Sequence, residues 1–105
     1  MRALQFDAKS VACLDRVLHE PARLSVVACL AVVEEADFVF LQSQTGMTGG
    51  NLSSHVKKLQ NAGYITVRKE FQGAKPRTSL QLTVAGRTAF TAYLKSMQAL
   101  LKVLL

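Results

Sequence analysis

Between Met47 and Lys69 the chain contains no acidic residue, although it has seven in all. It also lacks tryptophan and has only two cysteines, two histidines and two prolines. No apolar run reaches the roughly 18 to 20 residues that a membrane span needs. The longest, LSVVACLAVV at 24–33, ends at Glu34 and Glu35. The N-terminal MRALQFDAKS carries an early acid and has no hydrophobic leader core, so a cytoplasmic protein without membrane contact is expected. Cys13 and Cys29 lack CxxC spacing, and no histidine sits a turn from either. They are expected to be buried, reduced thiols, with a redox or metal switch as the alternative. No nucleophile–base–acid set can be assembled, and GMTGG lacks the lysine spacing of a phosphate-binding loop. These absences leave no expected catalytic residue, metal or cofactor.

What is present is a single domain's worth of apolar sequence, residues 1–105, half of it hydrophobic. The formal charge is +6, and it is unevenly spread. Residues 1–46 hold four basic and six acidic groups. Residues 47–87 hold Lys57, Lys58, Arg68, Lys69, Lys75, Arg77 and Arg87 against Glu70 alone. A basic block of this kind is the electrostatic footprint of a nucleic-acid surface, although charge alone fits a merely solvated face equally well.

Hydrophobic spacing predicts a mainly α protein with a small β-hairpin. A first helix is expected over about 8–18, with Val11, Leu14, Val17 and Leu18 as its stripe. Pro21 suits the first turn of a central helix over 21–35, and EEAD ends it. FVFLQSQTG (38–46) reads as a short helix closed by Gly46, with Phe38 and Leu41 inward; strand competes for 37–40. Thr48 caps a helix of about 48–62, and Gly63 stops it. A strand follows with Ile65, Val67 and Phe71 on one face. QGAKPR (72–77) is the turn, and TSLQLT (78–83) brings Leu80 and Leu82 inward. Thr83 caps the last helix, 84–104. The helix-turn-helix therefore spans about 38–62, the wing hairpin about 64–83 and a dimerisation helix about 84–104.

At 100° per residue, Leu52, Val56 and Leu59 form one narrow stripe of the 48–62 helix and must face the core. The opposite face gathers Gly50, Ser54, Lys57 and Asn61, flanked by Ser53 and Lys58. Gly49 and Gly50 weaken the first turn, each by roughly 1 kcal/mol against alanine in a helix interior. Their use is steric room: short side chains let the backbone approach a groove floor, Ser and Asn reach base edges, and lysines meet phosphate or guanine. Free N–H groups at Thr48, Gly49 and Gly50 favour a phosphate there. Asn51 serves either base contact or the cap, and His55 reads as an edge histidine before a base contact. On the hairpin, Arg68, Lys69, Lys75 and Arg77 form the basic wing, with Gly73 and Pro76 restricting its tip. In the last helix Phe90, Leu94, Met97, Leu101 and Leu104 recur at helical spacing, leaving more apolar surface than one small domain can cover. Pairing with a second copy would bury it.

The stretch TGMTGGNLSSHVKKLQNAGYITVRKEFQGAKPRTSLQLTVAGR resembles winged-helix transcriptional regulators of the MarR/ArsR-like superfamily, in particular small single-domain members. The resemblance covers roughly 21–95, most specifically NLSSHVKKLQNAGYI, the GAKPR wing and LTVAGR. It implies a winged helix-turn-helix with flanking N- and C-terminal dimerisation helices, a homodimer on a pseudo-palindromic operator, and residues 48–61 in the major groove. The resemblance includes repressors, and repression by blocking a promoter is the expected action. FVFLQSQTGMTGG holds no cysteine, which departs from the family's metal sensors; the short termini leave any small-molecule effector unassigned. The alternative from a different class is a winged helix serving as a protein-interaction module.

Overall fold

The computed structural model describes residues 6–105. The first five residues, and with them the start of the stretch read for a leader, lie outside the described residues. Helices α1 (Lys9–Ala12), α2 (Pro21–Val33), α3 (Phe38–Thr45), α4 (Gly49–Asn61) and α5 (Val84–Leu104) accompany strands β1 (Glu35–Asp37), β2 (Ile65–Gln72) and β3 (Lys75–Leu82). The strands form one antiparallel sheet in the order β1-β3-β2.

Four of the helix starts are set by side-chain caps, each worth about 1 kcal/mol. Glu20 accepts from the backbone N–H of Ala22 and Arg23 at 3.0 and 2.9 Å, with Pro21 at the first helical position of α2. Asp37 accepts from Phe40 N–H at 2.7 Å to open α3. Thr48 accepts from Asn51 N–H at 3.2 Å, and Thr83 from Gly86 N–H at 2.9 Å. Gly46 closes α3 with φ 71°, a left-handed conformation that glycine adopts without a Cβ penalty. The core joins Leu18, Val26, Val27, Leu30, Leu41, Leu52, Leu59 and Leu80, with Ile65, Leu82 and Tyr93 at its margin.

Several expectations are corrected. The first helix does not run over 8–18: it ends at Ala12, and Val11 is 46% exposed while Leu14 and Leu18 are buried. The cause is Asp15, whose Oδ1 accepts from the N–H groups of Val17 and Leu18 at 2.8 and 3.2 Å. Short acids that capture nearby backbone donors compete with helix. Asp15 Oδ2 also accepts from the Tyr64 hydroxyl, tying this segment to the loop after α4. The central helix stops at Val33, not 35. Glu34 follows it at φ 69°, ψ −49°, a sharp reversal that costs a non-glycine residue roughly 1–3 kcal/mol. EEAD is thus not just a helix end; its last three residues are β1, pairing Glu35–Asp37 with Ser79–Gln81. The competing strand reading for 37–40 fails beyond Asp37, where α3 begins.

The hairpin turn is shorter than 72–77. Gln72 pairs with Lys75, leaving a two-residue loop of Gly73 and Ala74. Gly73 has φ 64°, the positive first central position that suits hairpin twist. Lys75, Pro76 and Arg77 therefore lie in β3. Pro76 sits beyond the stretch of β3 that pairs with β1, so the missing N–H is tolerated at an open edge. Phe71, expected inward, pairs with Pro76 near the tip and is 76% exposed, because the hairpin outreaches the core. Neither cysteine is a fully buried thiol: Cys13 is exposed at the end of α1 and Cys29 is half-buried.

The molecule is elongated, 63 × 26 × 21 Å, with a radius of gyration of 16.1 Å. A compact chain of this length would have about 13 Å. Helix α5, 21 residues long, is the longest element among the described residues. It packs Gly86, Phe90, Tyr93, Met97 and Leu100 on the domain, while Leu101 and Leu104 near its end, and Leu105 after it, are exposed.

Candidate nucleic-acid interface

Helix α4 buries Leu52, Val56 and Leu59, as the 100° arithmetic requires, and leaves Thr48, Gly50, Asn51, Ser53, Ser54, Lys57, Lys58 and Asn61 exposed. Its own packing does not demand the two glycines. An added Cβ at Gly50 would meet nothing within 4 Å, and one at Gly49 would lie 3.7 Å from Gln42 Nε2, an ordinary contact. Neither has a positive φ. The protein's interior gives no reason for glycine at either position.

The hairpin stands beside this face. Between them opens a cleft of about 620 Å³, lined by Ser53, Val56, Lys57, Gln60 and Asn61 of α4, Phe38 of α3, and Val67, Lys69 and Thr78 of the hairpin. Sequence reasoning missed Gln60 and Thr78. Gln60 follows Lys57 by three residues on the helix surface, a spacing that could have found it; Thr78 becomes visible only through its cross-strand pairing with Lys69.

Strand alternation sorts the remaining wing residues. Lys69 shares the cleft face. Arg68 and Arg77 point to the other face of the sheet, where acids meet them. Arg68 Nη2 lies 3.3 Å from Glu35 Oε1, and Arg68 Nε lies 3.6 Å from Glu70 Oε2. Arg77 Nε lies 3.6 Å from Asp37 Oδ2, and Arg77 Nη1 lies 3.8 Å from Glu70 Oε1. Glu35 and Asp37 arrive through β1, a strand that the sequence pattern does not announce. Lys57, Lys58, Lys69 and Lys75 form no ion pair among the described residues. Lys75 and Pro76 are exposed beside the tip.

His55 is the edge histidine. Its Nδ1 lies 3.2 Å from Arg23 Nη1 and 3.5 Å from Glu20 Oε2, fastening the flank of α4 to the start of α2. Burial alone would raise the Glu20 carboxyl. Its hydrogen bonds from Arg23 and Ala22 N–H, with the nearby His55 and Arg23, outweigh that and hold it below the ordinary carboxylate value.

On α5 the predicted pairing residues divide. Phe90 and Met97 are half-buried against the chain's own core, whereas Leu94, Leu101 and Leu104 are 49%, 49% and 56% exposed. No helix among the described residues is long and apolar enough to cross a membrane.

A short capped helix, a turn, a second helix with a bare polar face and an adjoining hairpin define a winged helix-turn-helix. Residues 22–101 match the winged helix DNA-binding domain family, and the chain belongs to that family. A transcriptional regulator homologue from Pyrococcus horikoshii superposes with a TM-score of 0.83 at 27% identity, covering 99% of this chain and 98% of that one. A MarR-family transcriptional regulator from Silicibacter pomeroyi shares the fold, with a TM-score of 0.64 at 19% identity over 93% of this chain and 65% of that one. An uncharacterised protein of Methanocaldococcus jannaschii is 29% identical over 79 residues, 75% of this chain and 86% of that protein. The chain is thus a winged helix DNA-binding domain, and it shares its fold with a MarR-family regulator.

Proposed function

We propose that the protein is a cytoplasmic, dimeric transcriptional regulator that binds a pseudo-palindromic duplex operator and represses by occluding a promoter. Thr48–Asn61 enter the major groove. Asn51, Ser53, Ser54 and Asn61 meet base edges, and Lys57 and Lys58 meet phosphate or guanine. The wing follows the backbone or the adjacent minor groove. The observation that carries this reading is the exposed, cationic face of α4, opened by two glycines that the protein's own packing does not need. Two copies joined through Leu94, Leu101 and Leu104 would present their recognition helices about 34 Å apart, one turn of duplex.

Affinity for duplex fragments selected from random DNA, measured against salt, tests the reading. With roughly 6 to 10 phosphate contacts per dimer, raising salt from about 50 to 200 mM weakens binding about 10³- to 10⁵-fold. A flat salt response would instead favour a protein-docking module. That reading has its own support in an apolar recess of about 310 Å³ between α2 and α3, lined by Ala28, Cys29, Val32, Val33, Phe40 and Gln44.

A further inference from the structure

The two wing arginines stand apart from the wing lysines in one respect: each already has two carboxylates. The register puts Glu35 and Asp37 of β1, Lys75, Arg77, Ser79 and Gln81 of β3, and Thr66, Arg68, Glu70 and Gln72 of β2 on a single face of the sheet. Glu70 is directly opposite Arg77, and Ser79, which is buried between the outer strands, donates its hydroxyl to Glu70 Oε1 at 3.5 Å. Arg68 bridges from β2 to Glu35 on β1, and Arg77 reaches Asp37, the residue that also caps α3. The charges therefore cross all three strands and end on the cap of the first helix of the helix-turn-helix. The opposite face of the same hairpin carries Val67, Lys69 and Thr78 to the cleft beside α4.

We propose that Arg68 and Arg77 are positioning residues rather than phosphate contacts. With Glu35, Asp37 and Glu70 they form an ionic clasp that fixes the tilt of the wing relative to α3 and α4. Lys69 and Lys75 are then the wing groups that meet the DNA backbone. This assignment rests on the DNA-binding reading and divides the basic wing into two jobs. A guanidinium paired with carboxylates on its own sheet releases no counterion when DNA arrives, because it has already been neutralised; a free ammonium does. Alternation turns the arginines away from the cleft that Lys69 lines, whereas Lys75, opposite Gln72 on the arginines' face, stands exposed at the tip with no carboxylate partner among the described residues.

The test is the slope of log affinity against log salt for an operator duplex bound by Lys75→Gln, Lys69→Gln, Arg68→Gln and Arg77→Gln. The lysine variants lower the slope by about 0.9 for each phosphate that is no longer neutralised. The arginine variants weaken binding at every salt concentration but keep the wild-type slope, and Arg77→Lys, which keeps a positive charge beside Asp37 and Glu70, recovers part of the affinity that Arg77→Gln loses. An arginine variant whose slope falls as far as that of Lys75→Gln overturns the proposal. Amide hydrogen exchange on the free protein reads the clasp without DNA: Arg77→Gln and Glu70→Gln speed exchange along β2 and β3, whereas Lys75→Gln does not. Unchanged exchange in both clasp variants also overturns it. If the wild type binds no duplex at any salt concentration, the DNA-binding reading fails, and exchange alone decides the clasp.

Discussion

Helices α4 and α5 are both amphipathic, and both leave a face uncovered, but the faces are opposites. Helix α4 shows solvent serine, asparagine and lysine over a buried leucine stripe. Helix α5 shows solvent leucine over a stripe that is only partly buried. Water accepts the first arrangement readily, so its unusual content is what is missing: acids, and side chains at Gly49 and Gly50. The second is costly in water at roughly 25 cal/mol for each Å² left exposed. On the proposed reading, one face is shaped by restraint toward a polyanion, and the other by surplus toward an apolar partner. Polarity alone would have marked only the second as unusual.

The comparison breaks most severely where the two helices share a support. Gly86 of α5 lies against the loop after α4, and an added Cβ would fall 2.1 Å from the Tyr64 carbonyl oxygen. Gly86→Ala should destabilise the fold by about 3 kcal/mol or more, the upper range for overpacking, as read by denaturant unfolding. Next in size, replacing Leu94, Leu101 and Leu104 together by Glu should weaken self-association at least about 100-fold, or about 2.8 kcal/mol, with helical content unchanged. Sedimentation equilibrium measures that; a variant that still pairs like the wild type would show that the leucine face is not the contact.

A sharper contrast comes from Gly50→Ala, for which the two properties should move in opposite directions. Thermal stability should rise by up to about 1 kcal/mol, because alanine suits a helix better and meets no neighbour. Duplex affinity should fall about tenfold, because the methyl occupies room kept for the groove. A gain in both would show that the glycine is not reserved for DNA. The last effect concerns the joint itself. The hydrogen bond to Asp15, followed by burial and the Asp15 charge, pushes the Tyr64 hydroxyl up to about 12. The folded state therefore holds this proton more tightly than the unfolded chain, whose tyrosine titrates near 10. The resulting stabilisation is complete below about pH 10 and is lost as pH rises through about 12. Tyr64→Phe should remove that part of the alkaline slope in unfolding experiments while leaving the acid limb unchanged.

Local chemistry was legible in the sequence and long-range pairing was not. Thr48, Gly46 and Thr83 announce their roles within four residues, and the Leu52–Val56–Leu59 stripe follows from helical geometry alone. The face of α4 opposite that stripe could therefore be read directly. Strand β1 could not: EEAD has little strand propensity and extends only because β3, more than 40 residues later, supplies its hydrogen-bonding edge. Missing β1 meant missing the acids it delivers, so Arg68 and Arg77 looked as free as Lys69 and Lys75. Asp15 presents the same difficulty, since its tie to Tyr64 spans 49 positions. The segment looked helical because its apolar spacing is helical.

The elongated shape also has a hydrodynamic consequence. A body 63 Å long and only 26 by 21 Å across tumbles and diffuses like a larger globule. On a gel-filtration column a single copy would elute ahead of its 11.5 kDa mass and could pass for a pair. Two copies laid side by side along α5 would gain girth faster than length, so the shift between one and two would be compressed. Mass-sensitive detection, by light scattering or native mass spectrometry, separates the two states where elution volume blurs them.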